Sequence, residues 1–112
     1  MRPSIPEYLR HINDEVNFSL NAMKDISFDN FITDEKLTRA VVRSLEIIGE
    51  ASKQIPDDFK TKYPLVEWKY MAGMRDRLIH DYFGVDYETV YNTITQDLPK
   101  LQVWLFIILK PL

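Results

Sequence analysis

The stretch MRDRLIHDYFG, residues 74–84, holds an arginine, a histidine and a tyrosine at the spacing R-x4-H-x-Y. These residues are Arg75, His80 and Tyr82. Arginine is a permanent cation whose planar guanidinium fits phosphate oxygens, and histidine gives or takes a proton near neutral pH. The pattern therefore indicates phosphate chemistry. The alternative is a charged helix end with no chemical role, which is what an isolated R-x4-H pattern usually is.

Upstream of this stretch the apolar residues recur at helical spacing. Ser4 and Glu7 stand in capping-box register, which predicts that the first helix begins at Ser4. Residues 27–30 are expected to form a loop. Thr33 then offers an N-cap for a second helix that runs to about Lys53.

Downstream, a third helix is predicted to start near Val66, to carry the motif and to stop at Gly84 as a C′ glycine. Asp86 is predicted to cap the last helix, which Pro99 should kink or divide. No segment alternates with period two, so we expect no sheet. The fold class is therefore all-α, an antiparallel bundle of four to five helices.

Gly49 lies inside the predicted second helix, where glycine costs about 1 kcal/mol relative to alanine. Two explanations stand side by side. Another helix approaches closely at this point, or the glycine is merely tolerated.

Composition limits the class of protein. A chain of 112 residues with 46% apolar and 28% charged residues has the size and character of one soluble domain. It contains no cysteine, its first residues do not resemble a signal peptide, and its longest apolar run, residues 103–109, is too short to span a membrane. We therefore expect a cytoplasmic protein with no membrane contact. The net charge of −3 requires any RNA contact to use a local patch, or one assembled from two chains.

Two segments resemble a known family. GMRDRLIHDYFGVD, residues 73–86, resembles the signature of HepT-type HEPN proteins, which form the HEPN half of MNT–HEPN pairs. LEIIGEA, residues 45–51, resembles the second-helix segment of the same family. The resemblance covers about residues 4–104 of a single HEPN domain spanning 1–112, and leaves an apolar C-terminal tail, residues 105–112, without an assigned role.

The resemblance implies a function. HEPN domains form homodimers in which both R-x4-6-H motifs line a shared cleft, and in this family the cleft is a metal-independent endoribonuclease site. It implies that Arg75 and His80 are catalytic and that this chain is an RNA-cleaving toxin. It also implies that an MNT-type nucleotidyltransferase antitoxin silences the toxin by transferring AMP to Tyr82. The alternative is a non-catalytic HEPN module that binds a nucleotide or docks a nucleotidyltransferase.

The spacing of the motif residues adds three expectations. On one straight helix Arg75 and His80 would lie about 140° apart, so a two-fold dimer is needed to bring an arginine and a histidine together. Asp76 would be an i, i+4 neighbour of His80, either fixing its tautomer as part of the catalytic site or forming only a weak surface pair. Asp76 and Asp81 are too sparse to hold Mg²⁺, so we expect no metal and no cofactor. His11 is expected to be a surface histidine.

Overall fold

The chain folds as a helical bundle. The computed structural model describes residues 3–80 and 84–110, and for His80 it describes the backbone alone. The helices are α1 (Ile5–Ala22), α2 (Phe28–Thr33), α3 (Glu35–Lys53), α4 (Asp57–Lys60), α5 (Trp68–Ala72), α6 (Met74–Leu78), α7 (Tyr87–Asn92) and α8 (Leu98–Leu109), with a π-helical segment at Thr93–Asp97. The long helices α1, α3 and α8 form the body of the bundle, and α5 packs on α3. The all-α prediction is confirmed.

The first helix begins as its sequence predicts. The Glu7 backbone N–H donates to Ser4 Oγ at 3.3 Å, and the Ser4 N–H donates to Glu7 Oε1 at 3.1 Å, which completes the capping box. The stripe of α1 that faces the core is fully or almost fully buried at Leu9, Ile12 and Val16. The stripe removes apolar surface from water and thereby fixes the rotation of α1 about its axis.

The predicted loop at residues 27–30 is wrong. Ser27 caps α2 by accepting the Asn30 N–H at 3.2 Å, and the short helix exists because it buries Phe31 completely. Thr33 is the last residue of α2 and does not cap the next helix. Asp34 caps α3 instead, accepting the Leu37 N–H at 3.0 Å. The second long helix ends at Lys53, as predicted.

Gly49 marks a close approach, which decides between the two explanations given above. A Cβ built on Gly49 would lie 3.4 Å from the carbonyl oxygen of Met71 and 3.7 Å from the backbone nitrogen of Arg75. The end of α5 and the start of α6 therefore pass directly over this position on α3. The space admits one methyl group at van der Waals contact, but no larger side chain.

The single helix predicted through the motif is also wrong. Gly73 separates α5 from α6, and α6 ends at Leu78. Ile79 is extended, and residues 79–80 pair antiparallel with residues 84–85, Ile79 opposite Val85 and His80 opposite Gly84. The Leu78 carbonyl accepts the Asp86 N–H at 2.8 Å, so this ladder replaces a further helical turn. Two-residue strands are too short to give a period-two pattern, and Gly84 belongs to one of them.

The last part of the chain is divided, as Pro99 predicts. Asp86 caps α7 by accepting the Thr89 N–H at 3.1 Å, and the π-helical segment follows before Pro99 enters the first turn of α8. Proline has no N–H to complete an i to i−4 bond, and the wider π segment absorbs that interruption. Helix α8 continues to Leu109, beyond the expected core limit near residue 104. Its last turns bury Leu105 but expose Phe106 and neighbouring apolar side chains.

None of the described helices combines the length and apolar character needed to cross a membrane.

The contact at Gly49 generates a prediction about side-chain size. Gly49→Ala should leave the free energy of unfolding unchanged or raise it by up to about 1 kcal/mol, because alanine favours helix and its methyl group fits. Gly49→Leu should lower it by about 1–3 kcal/mol or more, because the added atoms meet the backbone of α5 and α6. Urea unfolding of both variants measures the difference. Equal stability of the alanine and leucine variants would contradict the close approach.

Candidate active site

The motif residues lie where α6 passes into the short ladder. Arg75 and Asp76 belong to the first turn of α6, and His80 is the second residue of the first strand. Tyr82 and Asp81 lie outside the described residues. Because α6 ends at Leu78, the 140° separation computed for one continuous helix does not apply to Arg75 and His80.

Arg75 is held from α3. Its Nε lies 3.4 Å from Glu46 Oε2, and its Nη1 lies 3.9 Å from Asp76 Oδ1. The Arg75 side chain is 47% exposed whereas that of Glu46 is 24% exposed, so the carboxylate sits at the base and the guanidinium reaches outward. A guanidinium has five N–H donors; Glu46 lies on the Nε side and Asp76 is too far from Nη1 for a hydrogen bond, so the Nη donors remain for a phosphate. Glu46 lies within the segment 45–51 singled out in the sequence, but its contact with Arg75 was not predicted.

Asp76 has a different surrounding from the one expected. Its side chain is 75% exposed, and it forms a long ion pair of 3.9 Å with Arg75. The helical i, i+4 relation to His80 is wrong, because Ile79 and His80 form a strand and not a further helical turn. A hydrogen bond between Asp76 and His80 stays a prediction, since the His80 side chain lies outside the described residues.

A second cluster, which the sequence analysis missed, lies behind the motif. The guanidinium of Arg77 stacks on the ring of Tyr70, with 3.5 Å from Cζ to the ring centroid, and its Nη1 donates to the Tyr70 carbonyl at 2.8 Å. The Tyr70 hydroxyl donates to Asp97 Oδ2. These three residues join α5, α6 and the end of the π-helical segment. No pattern in the sequence links positions 27 residues apart in this way; the nearest signal is the extra arginine inside the motif.

Burial raises the pKa of the Tyr70 hydroxyl, and the hydrogen bond to Asp97 raises it further, while the charge of Arg77 acts in the opposite direction. Tyr70 therefore stays protonated well into the alkaline range and acts as a hydrogen-bond donor. The Nη2 atom of Arg77 is buried and has no hydrogen-bond partner among the described residues. The cluster thus fixes the backbone three residues before His80.

Metal ligands are not grouped in the part of the chain that the structure describes. Across residues 3–80 and 84–110 no three His, Asp or Glu side chains stand close enough together to hold an ion. The described side chains offer an exposed guanidinium, that of Arg75, on the helix that leads into the strand containing His80.

The chain matches the family model described as "Ribonuclease HepT-like" over residues 5–105. The chain belongs to the HepT-like ribonuclease family. The resemblance to HepT-type HEPN proteins is thereby confirmed, and the bundle is a HEPN fold.

Several curated HepT-like relatives are similar over most of their length. A protein of Caldanaerobacter subterraneus subsp. tengcongensis named "Putative RNase" is 53% identical over 85% of this chain and 85% of its own. "Probable ribonuclease HepT" of Thermococcus cleftensis is 45% identical over 91% of this chain and 93% of its own. A "Putative RNase" of Methanocaldococcus jannaschii is 43% identical over 89% and 79%. No solved structure gave a significant match.

The Tyr70 cluster predicts a pH-dependent contribution to stability in this HepT-like chain. Because the pKa of Tyr70 is raised on folding, the folded state holds the proton more tightly than the unfolded state. The contribution is therefore complete below the ordinary tyrosine pKa of about 10 and is lost as pH rises above it. Tyr70→Phe should lower the free energy of unfolding by about 1 kcal/mol at neutral pH, and the difference from wild type should shrink in alkali.

Urea unfolding at neutral pH and at about pH 10.5 measures this difference. Tyr87→Phe is the matched control, since the Tyr87 hydroxyl has no hydrogen bond to a described residue while its ring contact with Phe31 is kept. A Tyr70→Phe effect that is the same at both pH values would contradict the protonated-donor assignment.

Proposed function

We propose that this chain is a metal-independent endoribonuclease that works as a homodimer, with Arg75 and His80 as catalytic residues. The observation that carries the proposal is the exposed Arg75 guanidinium, held by Glu46 at 3.4 Å on the helix that leads into the strand containing His80, in a chain of the HepT-like ribonuclease family. The relatives named as ribonucleases support the same substrate, RNA.

The proposed reaction is an internal transfer at phosphorus. One His80 removes the proton of a ribose 2′-OH, and the 2′-oxygen attacks the adjacent phosphorus. Arg75 stabilises the negative charge that develops on the phosphate oxygens. The bond from phosphorus to the 5′-oxygen breaks, and that oxygen takes a proton from an acid. The products are a 2′,3′-cyclic phosphate and a 5′-hydroxyl, and no metal is required.

A dimer supplies the second proton-transfer group. One histidine cannot be the base at the 2′-oxygen and the acid at the 5′-oxygen in the same concerted step. A two-fold interface next to the motif would place two His80 and two Arg75 in one cleft, because an isologous contact repeats every residue. The negative net charge of the chain favours the same arrangement, since Arg75 and His80 from two chains make a stronger phosphate site than those of one chain.

We further propose that the protein is the toxin of a toxin–antitoxin pair. Its partner would be an MNT-type nucleotidyltransferase that transfers AMP to the Tyr82 hydroxyl. The tyrosine lies two residues beyond His80 in the chain. An added phosphate would compete with RNA for Arg75 through charge and bulk.

The catalytic assignment predicts the behaviour of single variants. His80→Ala and Arg75→Ala should each lower the rate of RNA cleavage by about 10²–10⁴-fold, because each removes a proton-transfer or charge-stabilising group. Cleavage of labelled RNA in EDTA measures this, and wild type should leave cyclic phosphate ends. Arg39→Ala is the control, because Arg39 is a surface arginine paired with Glu35. Near wild-type cleavage by either motif variant would leave the non-catalytic HEPN module as the better account.

The shared site is tested by mixing the two inactive variants. In a mixed dimer of one Arg75→Ala chain and one His80→Ala chain, the shared cleft contains one intact arginine and one intact histidine. Some activity should return on mixing, because the cleft again holds an arginine and a histidine, but the rate should stay well below that of wild type because one proton-transfer group is still missing. A wild-type protein that cleaves RNA as a strict monomer in sedimentation experiments would end the composite-site proposal, and full inhibition by EDTA with rescue by Mg²⁺ would end the metal-free one.

The modification proposal predicts a mass change on one peptide. Co-expression with an MNT-type partner should add AMP-sized mass to the peptide that contains Tyr82 and stop cleavage. Tyr82→Phe should still cleave RNA but should escape modification, because it lacks the acceptor oxygen. Intact mass and cleavage are measured together. Protection by the partner without added mass on Tyr82 would mean that inhibition is steric.

A further inference from the structure

A groove between α1 and α3 takes no part in the site described above. Tyr8 and His11 of α1 form one wall, and α3 forms the other wall and the floor with Arg43, Ile47, Glu50, Ala51 and Gln54. Its volume is about 300 Å³. One wall thus carries an aromatic ring and an imidazole, the other carries a guanidinium and a carboxylate, and the floor is partly apolar.

The cation in this groove is free. Arg43 is exposed and makes no ion pair or hydrogen bond with another described residue. Two acidic side chains of α3 lie within two turns of Arg43, and one of them, Glu50, lines the groove itself, but each has a cationic partner other than Arg43. Glu46 pairs with Arg75 at 3.4 Å, and Glu50 pairs with Lys53 at 3.4 Å. Arg43 therefore offers its full donor set to a ligand from solvent.

The groove lies next to the proposed catalytic site. Arg43 and Glu46 are separated by three positions on α3, which is about 4.5 Å along the axis and about 60° around it. Glu46 in turn holds Arg75. Arg43 and Arg75 therefore both lie next to Glu46, one on α3 itself and the other held against it from α6.

The two helices that form the groove are packed against each other. Ser44, the neighbour of Arg43, donates its hydroxyl to the Glu15 carbonyl of α1 at 3.0 Å. Beside the groove, Leu9 and Ile12 of α1 and Leu45 of α3 are fully or nearly fully buried. The backbone of the groove is therefore formed before binding, and the ordering cost falls on side chains such as Arg43.

We propose that the α1–α3 groove is a subsite for a single-stranded RNA nucleotide that flanks the cleaved bond. The proposal rests on the proposed ribonuclease function and extends it to substrate recognition. Arg43 binds a backbone phosphate, the ring of Tyr8 stacks on the unpaired base, and His11 donates a hydrogen bond to a phosphate oxygen or base edge. Stacking on Tyr8 requires an unpaired base, so the groove selects single-stranded over double-stranded RNA.

Binding is measured in the His80→Ala background, where RNA stays intact, by fluorescence anisotropy with a short unstructured RNA. Adding Arg43→Gln should raise the Kd about tenfold, the usual effect of losing a charge-assisted phosphate contact. Adding Arg39→Gln should change the Kd less than about twofold. It removes the same charge from the same helix, but Arg39 is already paired with Glu35 at 2.7 Å and lies outside the groove.

The aromatic contact is tested in the same assay. Tyr8→Leu should raise the Kd about three- to tenfold because it removes the stacking surface, whereas Tyr8→Phe should leave it nearly unchanged. In the otherwise native chain, Arg43→Gln should raise the KM for single-stranded RNA by a similar factor to its effect on Kd and leave kcat within about twofold. A duplex of the same sequence should bind equally well to the Arg43→Gln and Arg39→Gln chains.

The outcomes separate this subsite from the proposed activity. If wild type cleaves RNA while Arg43→Gln and Arg39→Gln bind and cleave alike, the subsite is wrong and the ribonuclease proposal stands. If RNA binding depends on Arg43 but wild type cleaves no RNA, the subsite stands and the proposed activity fails. If Arg43→Gln changes the sedimentation behaviour of the chain without weakening RNA binding, the groove is a protein interface and the subsite proposal is overturned.

Discussion

The passage of the α5–α6 turn across Gly49 of α3 is the contact on which the site depends. Because Gly49 has no side chain, the backbone at Met71 and Arg75 comes within van der Waals range of α3. At that distance Glu46, one turn earlier on α3, reaches the Arg75 guanidinium. A side chain larger than alanine at Gly49 would push α6 outward and lengthen this ion pair. The small residue in the core and the charged pair at the surface are therefore parts of one arrangement.

The helical periodicity and the capping residues were sufficient to predict most of the bundle. Ser4 with Glu7, and Asp86 with Thr89, cap their helices as short-range side-chain rules require. The errors fall where a long-range contact outweighs local preference. The burial of Phe31 makes a helix out of a predicted loop.

The motif R-x4-H-x-Y selects Arg75 and His80, whose catalytic roles stay predictions, but the continuous helix predicted to carry them is wrong. The bond from the Asp86 N–H to the Leu78 carbonyl turns the chain after α6, and such a bond leaves no periodic signal in the sequence. Glu46 and Asp97 were missed for the same reason, since each meets its partner through the packing of separate helices.

The distribution of charge bears on how an acidic chain could present the proposed phosphate site. Arg39, Lys53 and Arg75 each have a carboxylate partner, which lowers the field that they exert on a distant polyanion. Arg77 is occupied by the ring and carbonyl of Tyr70. In the proposed ribonuclease, attraction of RNA would therefore depend less on total charge than on which guanidinium groups keep free donors. Arg75 keeps donors on its Nη atoms, because Glu46 approaches its Nε side and Asp76 lies 3.9 Å from Nη1, and Arg43 keeps its donors because it forms no ion pair with a described residue, although Glu50 lines the same groove. For a chain of net charge −3, recognition by a few such guanidinium groups would favour specific phosphate contacts over diffuse binding to any polyanion.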